Sequence, residues 1–104
     1  MGNFVKVSKK FDLPPGACKH IELEGKGIAI ALYNVDGKFY AIDGTCSHMG
    51  GPLGEGDLDG NVVTCPWHGW QFDVVTGNCV IRPGTKQTTY SVKTEGDDIL
   101  VELS

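Results

Sequence analysis

The chain has 104 residues, the size of one domain with a modest core, and it carries 13 acidic against 9 basic side chains for a net charge of −4. This acidic balance, without a Lys/Arg cluster, excludes the phosphate-neutralising surface of a nucleic-acid-binding protein. The chain shows no apolar run of signal-peptide length, and no segment approaches the roughly 18 apolar residues of a membrane span. We therefore expect a cytoplasmic protein that binds neither nucleic acid nor membrane.

The first 43 residues are dominated by short segments rich in β-branched and aromatic residues, which are typical of strands. These segments, FVKV, CKHIEL, GIAIALYNV and KFYAID, predict strands at 4–7, 18–23, 27–35 and 38–43. The Asp36-Gly37 pair between the last two predicts a tight hairpin. Residues 8–16 are the only helix candidate, and the Pro-Pro-Gly run at 14–16 ends it within about one turn.

Residues 44–84 differ from the rest of the chain, because they hold nine of the 15 glycines and three of the five prolines. Loops of this composition bury little apolar surface, so another interaction must hold them in place. Asp59-Gly60 predicts a second hairpin, and residues 88–103 predict a final hairpin that turns near 95–98. We expect an all-β, antiparallel single domain spanning 1–104. Its loop-built lobe, about 44–84, is inserted in a β base formed by 1–43 and 85–104.

The lobe contains two pairs of metal-ligand residues, Cys46-x-His48 and Cys65-x-x-His68, each within a Gly/Pro-rich turn. Two thiolates with two imidazoles serve either a structural zinc ion or a [2Fe–2S] cluster whose two irons carry unlike ligands. Zinc fingers usually take both cysteines from one knuckle and both histidines from another. Here each half supplies one of each. The pattern therefore favours the cluster, and a structural zinc site remains the alternative.

The stretches CSHMGGPL and CPWHGWQFDVVTG closely resemble the two cluster-binding loops of the Rieske family. This resemblance implies a Rieske-type fold and one [2Fe–2S] cluster per chain. It places Cys46 and Cys65 on the inner iron, and His48 and His68 on the outer iron at the surface. It also assigns residues to the surroundings of the cluster or to a docking face: Met49, Gly50, Leu53, Trp67, Gly69, Trp70 and Pro83.

Two departures separate this chain from the Rieske proteins of respiratory complexes. Those proteins carry an extra cysteine in each loop, joined as a disulfide, where this chain has Gly51 and Trp67. They also carry two hydroxyl donors to the cluster and its ligands, where this chain has Trp70 and Phe72. Fewer donors stabilise the reduced cluster less, so we expect a potential near the lower end of the Rieske range of roughly −150 to +300 mV.

The chain most resembles the soluble ferredoxins of bacterial ring-hydroxylating dioxygenase systems. That resemblance implies a one-electron carrier, monomeric when free, between an NAD(P)H-dependent flavoprotein reductase and a terminal oxygenase, with no catalytic residues of its own. The alternative is a Rieske-like small subunit of a larger oxidoreductase such as a nitrite reductase. An oxygenase would need a second iron held by two histidines and a carboxylate, and only His20 of the three histidines is left over.

The remaining polar and sulfur side chains have plainer interpretations. His20 is expected to be an ordinary strand residue, and Cys18 and Cys79 are expected to be free thiols, because no secretion signal favours a disulfide. Four acidic residues in or near the lobe either form a solvated turn surface or steer a basic partner: Glu55, Asp57, Asp59 and Asp73.

Overall fold

The computed structural model describes residues 4–23, 28–44, 53–66, 69–80 and 84–102. The strands in these ranges are β1 (Phe4–Lys9), β2 (Cys18–Leu23), β3 (Ile28–Val35), β4 (Lys38–Asp43), β5 (Asp57–Asp59), β6 (Val62–Thr64), β7 (Gln71–Asp73), β8 (Thr89–Tyr90), β9 (Val92–Glu95) and β10 (Asp98–Glu102). Two single turns of 3₁₀ helix accompany them, at Lys10–Asp12 and Leu53–Glu55. Within these ranges, no helix has the length and apolar character needed to cross a membrane.

The strands form three antiparallel sheets, as the sequence predicts. The central sheet has the order β2-β3-β4-β8, a second sheet has the order β1-β10-β9, and a small sheet has the order β5-β6-β7. The predicted hairpins are confirmed, because β3 pairs with β4, β5 with β6, and β9 with β10. The all-β antiparallel fold predicted from the sequence is therefore confirmed.

Strand β3 is the middle of the molecule, and residues 30–34 are buried on both of its faces. Ile30 and Leu32 contribute to one apolar core, which includes residues of β10, while Ala31 and Tyr33 contribute to another, which includes residues of β6 and β7. The alternating residues of β3 thus lie on two different faces of the strand. Neither face is exposed to solvent, because each is covered by another sheet.

The helix candidate at 8–16 was wrong in extent. Strand β1 continues to Lys9 because its pairing with β10 reaches Asp98. Only Lys10–Asp12 then turns as 3₁₀ helix, with the Lys10 amide donating to the Asp97 carbonyl at 2.8 Å. Leu13, 1% exposed, follows directly with non-helical backbone angles, because the residue before a proline, here Pro14, is disfavoured in helical conformation.

The fold brings the two ligand-bearing stretches of the sequence next to ordered strand ends. Strand β4 ends at Asp43, just before the stretch that contains Cys46 and His48. Strand β6 ends at Thr64, directly before Cys65, and β7 begins again at Gln71. The second stretch is thus a strand-to-strand connection, since β6 and β7 are neighbours in the small sheet.

Candidate metal centre

Cys65 is the one predicted ligand that lies in the described part of the chain; Cys46, His48 and His68 fall outside it. Cys65 is 2% exposed and belongs to the core that includes Tyr33 and Phe72. Its amide donates to the Trp70 carbonyl at 2.7 Å, which holds residues 65 and 70 next to each other. A cysteine at this position offers a desolvated sulfur three residues before His68 in the sequence.

The stretch from 45 to 52 has both ends fixed close together. The Leu53 amide donates to the Gly44 carbonyl at 2.9 Å, and the Gly44 amide donates to the Ala29 carbonyl at 2.9 Å. A Cβ on Gly44 would lie 2.9 Å from the Ile30 carbonyl carbon, so glycine allows this close approach to β3. Gly44 and Leu53, the described residues on either side of this stretch, are therefore fixed next to each other, as the two ends of a ligand loop would require.

A buried polar side chain that sequence reasoning missed supports the same strand end. The Gln87 side chain, 3% exposed, donates from Nε2 to the Asp43 carbonyl at 3.1 Å. The Asp43 amide donates in turn to the Thr88 carbonyl at 2.8 Å. These bonds fix the last residue of β4 immediately before the loop. The sequence gives no signal for this role, because it depends on β8 returning beside β4.

The residues expected around the cluster fall into two groups. Met49, Gly50, Trp67 and Pro83 lie outside the described residues. Leu53 is fully buried, so of the two roles expected for it, cluster surroundings or docking face, the first stays a prediction and its burial does not suit the second. Gly69 is exposed with φ +73°, a conformation that favours glycine, and Trp70 is half-buried. Those two residues have the exposure that a contact with a partner needs.

Phe72 stands where respiratory Rieske proteins have a tyrosine, and it is fully buried with no polar atom to offer. Its ring lies 6.5 Å from the Trp70 ring, with an angle of 37° between the two planes. This aromatic pair packs the base of the second loop. It lends no hydrogen bond from position 72 to a sulfur, and the low potential expected from the sequence stays a prediction.

Tyr33 is the buried hydroxyl of this region, and sequence reasoning treated it only as a strand residue. Its hydroxyl donates to the Leu53 carbonyl at 2.7 Å. Burial raises the pKa of Tyr33 well above its ordinary value, with smaller contributions from the nearby Cys18 and Cys65 thiols. Tyr33 therefore keeps its proton at neutral pH and serves as a hydrogen-bond donor.

Cys18 and Cys79 are free thiols, as predicted. The Cys18 sulfur donates to the Gly56 carbonyl at 3.1 Å, and burial, followed by the Asp57 carboxylate, raises the pKa of this thiol. Cys79 is 5% exposed and packs in the same core as Cys65. His20 lies in β2 as expected, with Nε2 at 3.5 Å from a Glu22 carboxylate oxygen.

Asp73 is one of the four acidic residues whose role was left open, and its carboxylate shapes the turn after β7. Oδ1 accepts the Val75 amide at 2.8 Å and the Thr76 amide at 3.3 Å, and Oδ2 accepts the Asn61 side-chain amide at 3.1 Å. Asp73 is thus occupied by local bonds. Glu55, Asp57 and Asp59 are exposed and remain available to a basic partner.

Replacing Asp73 with alanine is expected to lower the free energy of unfolding by about 1 kcal/mol, because two turn amides lose their acceptor. Asp73→Asn retains an acceptor oxygen at Oδ1 and should lose less than half as much. The two variants are compared by thermal unfolding followed by circular dichroism. Equal losses in both would show that the negative charge or the bond from Asn61 to Oδ2, rather than the turn bonds to Oδ1, carries the effect.

A cleft of about 730 Å³ opens at the other end of β4 and takes no part in this centre. It is lined in part by Phe11, Pro14, Gly37, Lys38 and Phe39. These residues surround the β3–β4 hairpin turn, whereas the loop from 45 begins past the far end of β4. Among the residues that the structure describes, no three His, Cys, Asp or Glu side chains gather closely enough to hold a metal ion.

The sequence was compared with protein-family models, and the Rieske [2Fe-2S] domain matches residues 3–96. The ferredoxin component of the naphthalene 1,2-dioxygenase system from Pseudomonas aeruginosa is 38% identical over 95 residues, which cover 90% of this chain and 89% of that protein.

Solved structures agree in fold. A chain of the complex of reduced oxygenase and oxidized ferredoxin in carbazole 1,9a-dioxygenase superimposes with a TM-score of 0.88 at 33% identity, covering 95% of this chain and 92% of that one. A structure from Mycobacterium tuberculosis, described as an NADH-dependent nitrite reductase small subunit, reaches a TM-score of 0.89 at 20% identity, covering 100% and 97% of the two chains. The second likeness concerns the fold alone. The chain belongs to the Rieske [2Fe-2S] domain family.

Proposed function

We propose that this protein is a one-electron carrier that takes electrons from an NAD(P)H-dependent flavoprotein reductase and delivers them to a terminal oxygenase. The observation that carries the proposal is the match to a protein named as a ferredoxin component, which covers nine-tenths of both chains. The similarity therefore extends over nearly the full length of a protein named as a ferredoxin component. The protein would act in the cytoplasm, as a monomer when free.

One [2Fe–2S] cluster per chain would be held by Cys46, His48, Cys65 and His68. The buried sulfur of Cys65 fits this role, because a thiolate shielded from water is the donor that an inner iron takes. When bound, the cluster supplies a single-electron couple whose potential two imidazole ligands raise above that of a four-cysteine cluster. The chain's own contribution is to fix the ligands, exclude water on the cysteine side and leave the histidine side open to a partner.

The exposed acidic residues favour a redox partner whose contact surface is basic. Glu55, Asp57 and Asp59 follow one another along the edge strand β5 and the turn before it, with no exposed lysine or arginine among residues 53–66. Such a face accelerates encounter with a basic surface, and salt screens the effect. We propose that it steers the carrier onto its redox partners, whose contact with Gly69 and Trp70 then brings the histidine side close.

The alternative function, a tightly bound small subunit of a larger oxidoreductase, is favoured only by likeness of fold. The nitrite reductase neighbour shares 20% identity, against 38% for the ferredoxin component. The two functions differ in native size. A carrier elutes alone from a native extract, whereas a subunit elutes with its enzyme.

The test is performed on purified, anaerobically handled protein. We expect two irons and two acid-labile sulfides per chain, a red-brown colour, and a rhombic EPR signal on reduction with dithionite. The protein should then transfer one electron per chain from an NADH-reduced flavoprotein reductase of a dioxygenase system to its oxygenase. Colourless protein with one zinc per chain would overturn the proposal, as would a cluster that no such reductase reduces.

A further inference from the structure

The segment from Leu53 to Gly56 is wedged between two sheets with no room for side chains at its glycines. A Cβ on Gly54 would lie 2.5 Å from the His20 Cα in β2, and a Cβ on Gly56 would collide with the Thr64 carbonyl oxygen in β6. Backbone therefore touches backbone on both sides. Thr64 directly precedes Cys65, and Leu53 directly follows the stretch that contains Cys46 and His48, so this segment joins the two ligand loops.

Two side chains from the central sheet hold the ends of this segment. Tyr33 donates to the Leu53 carbonyl at 2.7 Å, and Cys18 donates to the Gly56 carbonyl at 3.1 Å. Cys18 and Tyr33 are direct cross-strand partners in the β2–β3 pair. This cross-strand pair thus donates to both ends of the Leu53–Gly56 segment. The rigidity of the β2–β3 pair is therefore passed on to the segment and to the two ligand loops that it joins.

The rigidity of the Leu53–Gly56 segment is expected to affect the reduction potential of the cluster. The Leu53 amide also closes the first loop onto Gly44, so any movement of Leu53 moves the attachment of that loop relative to Cys65. The potential of a Rieske cluster depends on hydrogen bonds to its sulfurs and on exposure to water. Reduction adds a negative charge, so a looser site that admits water should be easier to reduce.

We infer that Tyr33 and Cys18 are positioning residues that fix the Leu53–Gly56 segment, set the two ligand loops against each other and so hold down the reduction potential of the cluster. The inference rests on the proposed function, since it needs a cluster to act upon. It assigns a role to a buried hydroxyl and a half-buried thiol outside the proposed ligand set.

Four single substitutions test the inference in the cluster-loaded protein. Tyr33→Phe and Cys18→Val each remove one donor while keeping most of the packed volume. Cys18→Ser keeps a donor at the same position. Tyr90→Phe is the matched control, because it removes the hydroxyl of a half-buried tyrosine in β8 that packs against the other core.

The measurements are the reduction potential, by titration of the visible spectrum, and the EPR g-values of the reduced protein. Tyr33→Phe and Cys18→Val are expected to raise the potential, to alter the g-values and to release iron several-fold faster. Cys18→Ser should recover most of the shift caused by Cys18→Val. Tyr90→Phe should leave all three readouts unchanged.

The inference is overturned if Tyr33→Phe and Cys18→Val both lower the melting temperature but keep the wild-type potential and g-values. Tyr33 and Cys18 would then have a structural role alone. If Tyr33→Phe does not retain its cluster, the Cys18→Val and Cys18→Ser pair decides, and equal potentials in that pair overturn it. Wild-type protein without a [2Fe–2S] spectrum would instead defeat the proposed function, so the two failures are distinct.

Discussion

A Cys65→Ala variant is expected to lose the cluster: iron falls from two per chain to nearly none, and the visible and EPR signals of the cluster disappear. Alanine offers no thiolate, and Cys65 is the proposed ligand that the structure shows to be buried. Electron transfer to an oxygenase should fall at least about a hundredfold, because removal of a metal ligand costs more than the 10–100-fold typical of its supporting residues. Iron and sulfide analysis of anaerobically purified protein makes the measurement.

Cys79→Ala is the matched control for this prediction. Cys79 is also buried, 5% exposed, and packs in the same core, yet it lies outside the proposed ligand set. Both substitutions remove one sulfur from the interior and should cost a similar, small amount of packing. Cys79→Ala is expected to keep two irons and two sulfides. Equal loss of iron in both variants would assign the effect to the core, and intact iron in Cys65→Ala would remove Cys65 from the ligand set.

The strands that precede the first ligand loop could be predicted closely from the sequence. The predicted bounds 18–23 and 38–43 agree with β2 and β4, and the prediction of 27–35 agrees with β3 over 28–35, since residue 27 lies outside the described residues. Local signals suffice there, because β-branched residues alternate and the Asp36-Gly37 pair allows the positive φ values that a tight hairpin needs. Cys65 could also be proposed as a ligand from local sequence, because the Cys-x-x-His spacing involves only neighbouring residues.

The contacts that hold the loops could not be predicted, because they join residues far apart in sequence. Tyr33 meets Leu53 only once the register of β3 places its ring beneath the first loop, and no property of either residue alone indicates that bond. Strand β7 was missed for a related reason. Gln71–Asp73 is too short to show alternation, and pairing with β6 is what makes it a strand. Sequence reasoning thus proposed the ligands, while the tertiary structure revealed the contacts on either side of the two stretches that contain them.

Gly56→Ala is expected to be strongly destabilising, lowering the free energy of unfolding by about 3 kcal/mol, the upper end for overpacking. The added methyl group would collide with the Thr64 carbonyl oxygen. Thr64 has little freedom to retreat, because β6 pairs with β5 on one side and with β7 on the other. At about 4–8 °C per kcal/mol for a domain of this size, the melting temperature should fall by about 12–24 °C.

Gly60→Ala separates collision from backbone strain. Gly60 lies in the turn between β5 and β6 with φ +63°, and a Cβ there meets nothing within 4 Å. Its replacement should cost about 1 kcal/mol, from left-handed backbone strain alone. Thermal unfolding of the cluster-loaded variants, with iron content measured in parallel, compares the two. Because Gly56 joins the ligand loops, Gly56→Ala should also release iron earlier on heating than Gly60→Ala. Melting temperatures of the two variants within 2–3 °C of each other correspond to about half of 1 kcal/mol. Such a result would show that β6 moves to accommodate the methyl group and that the Leu53–Gly56 segment is not rigidly held.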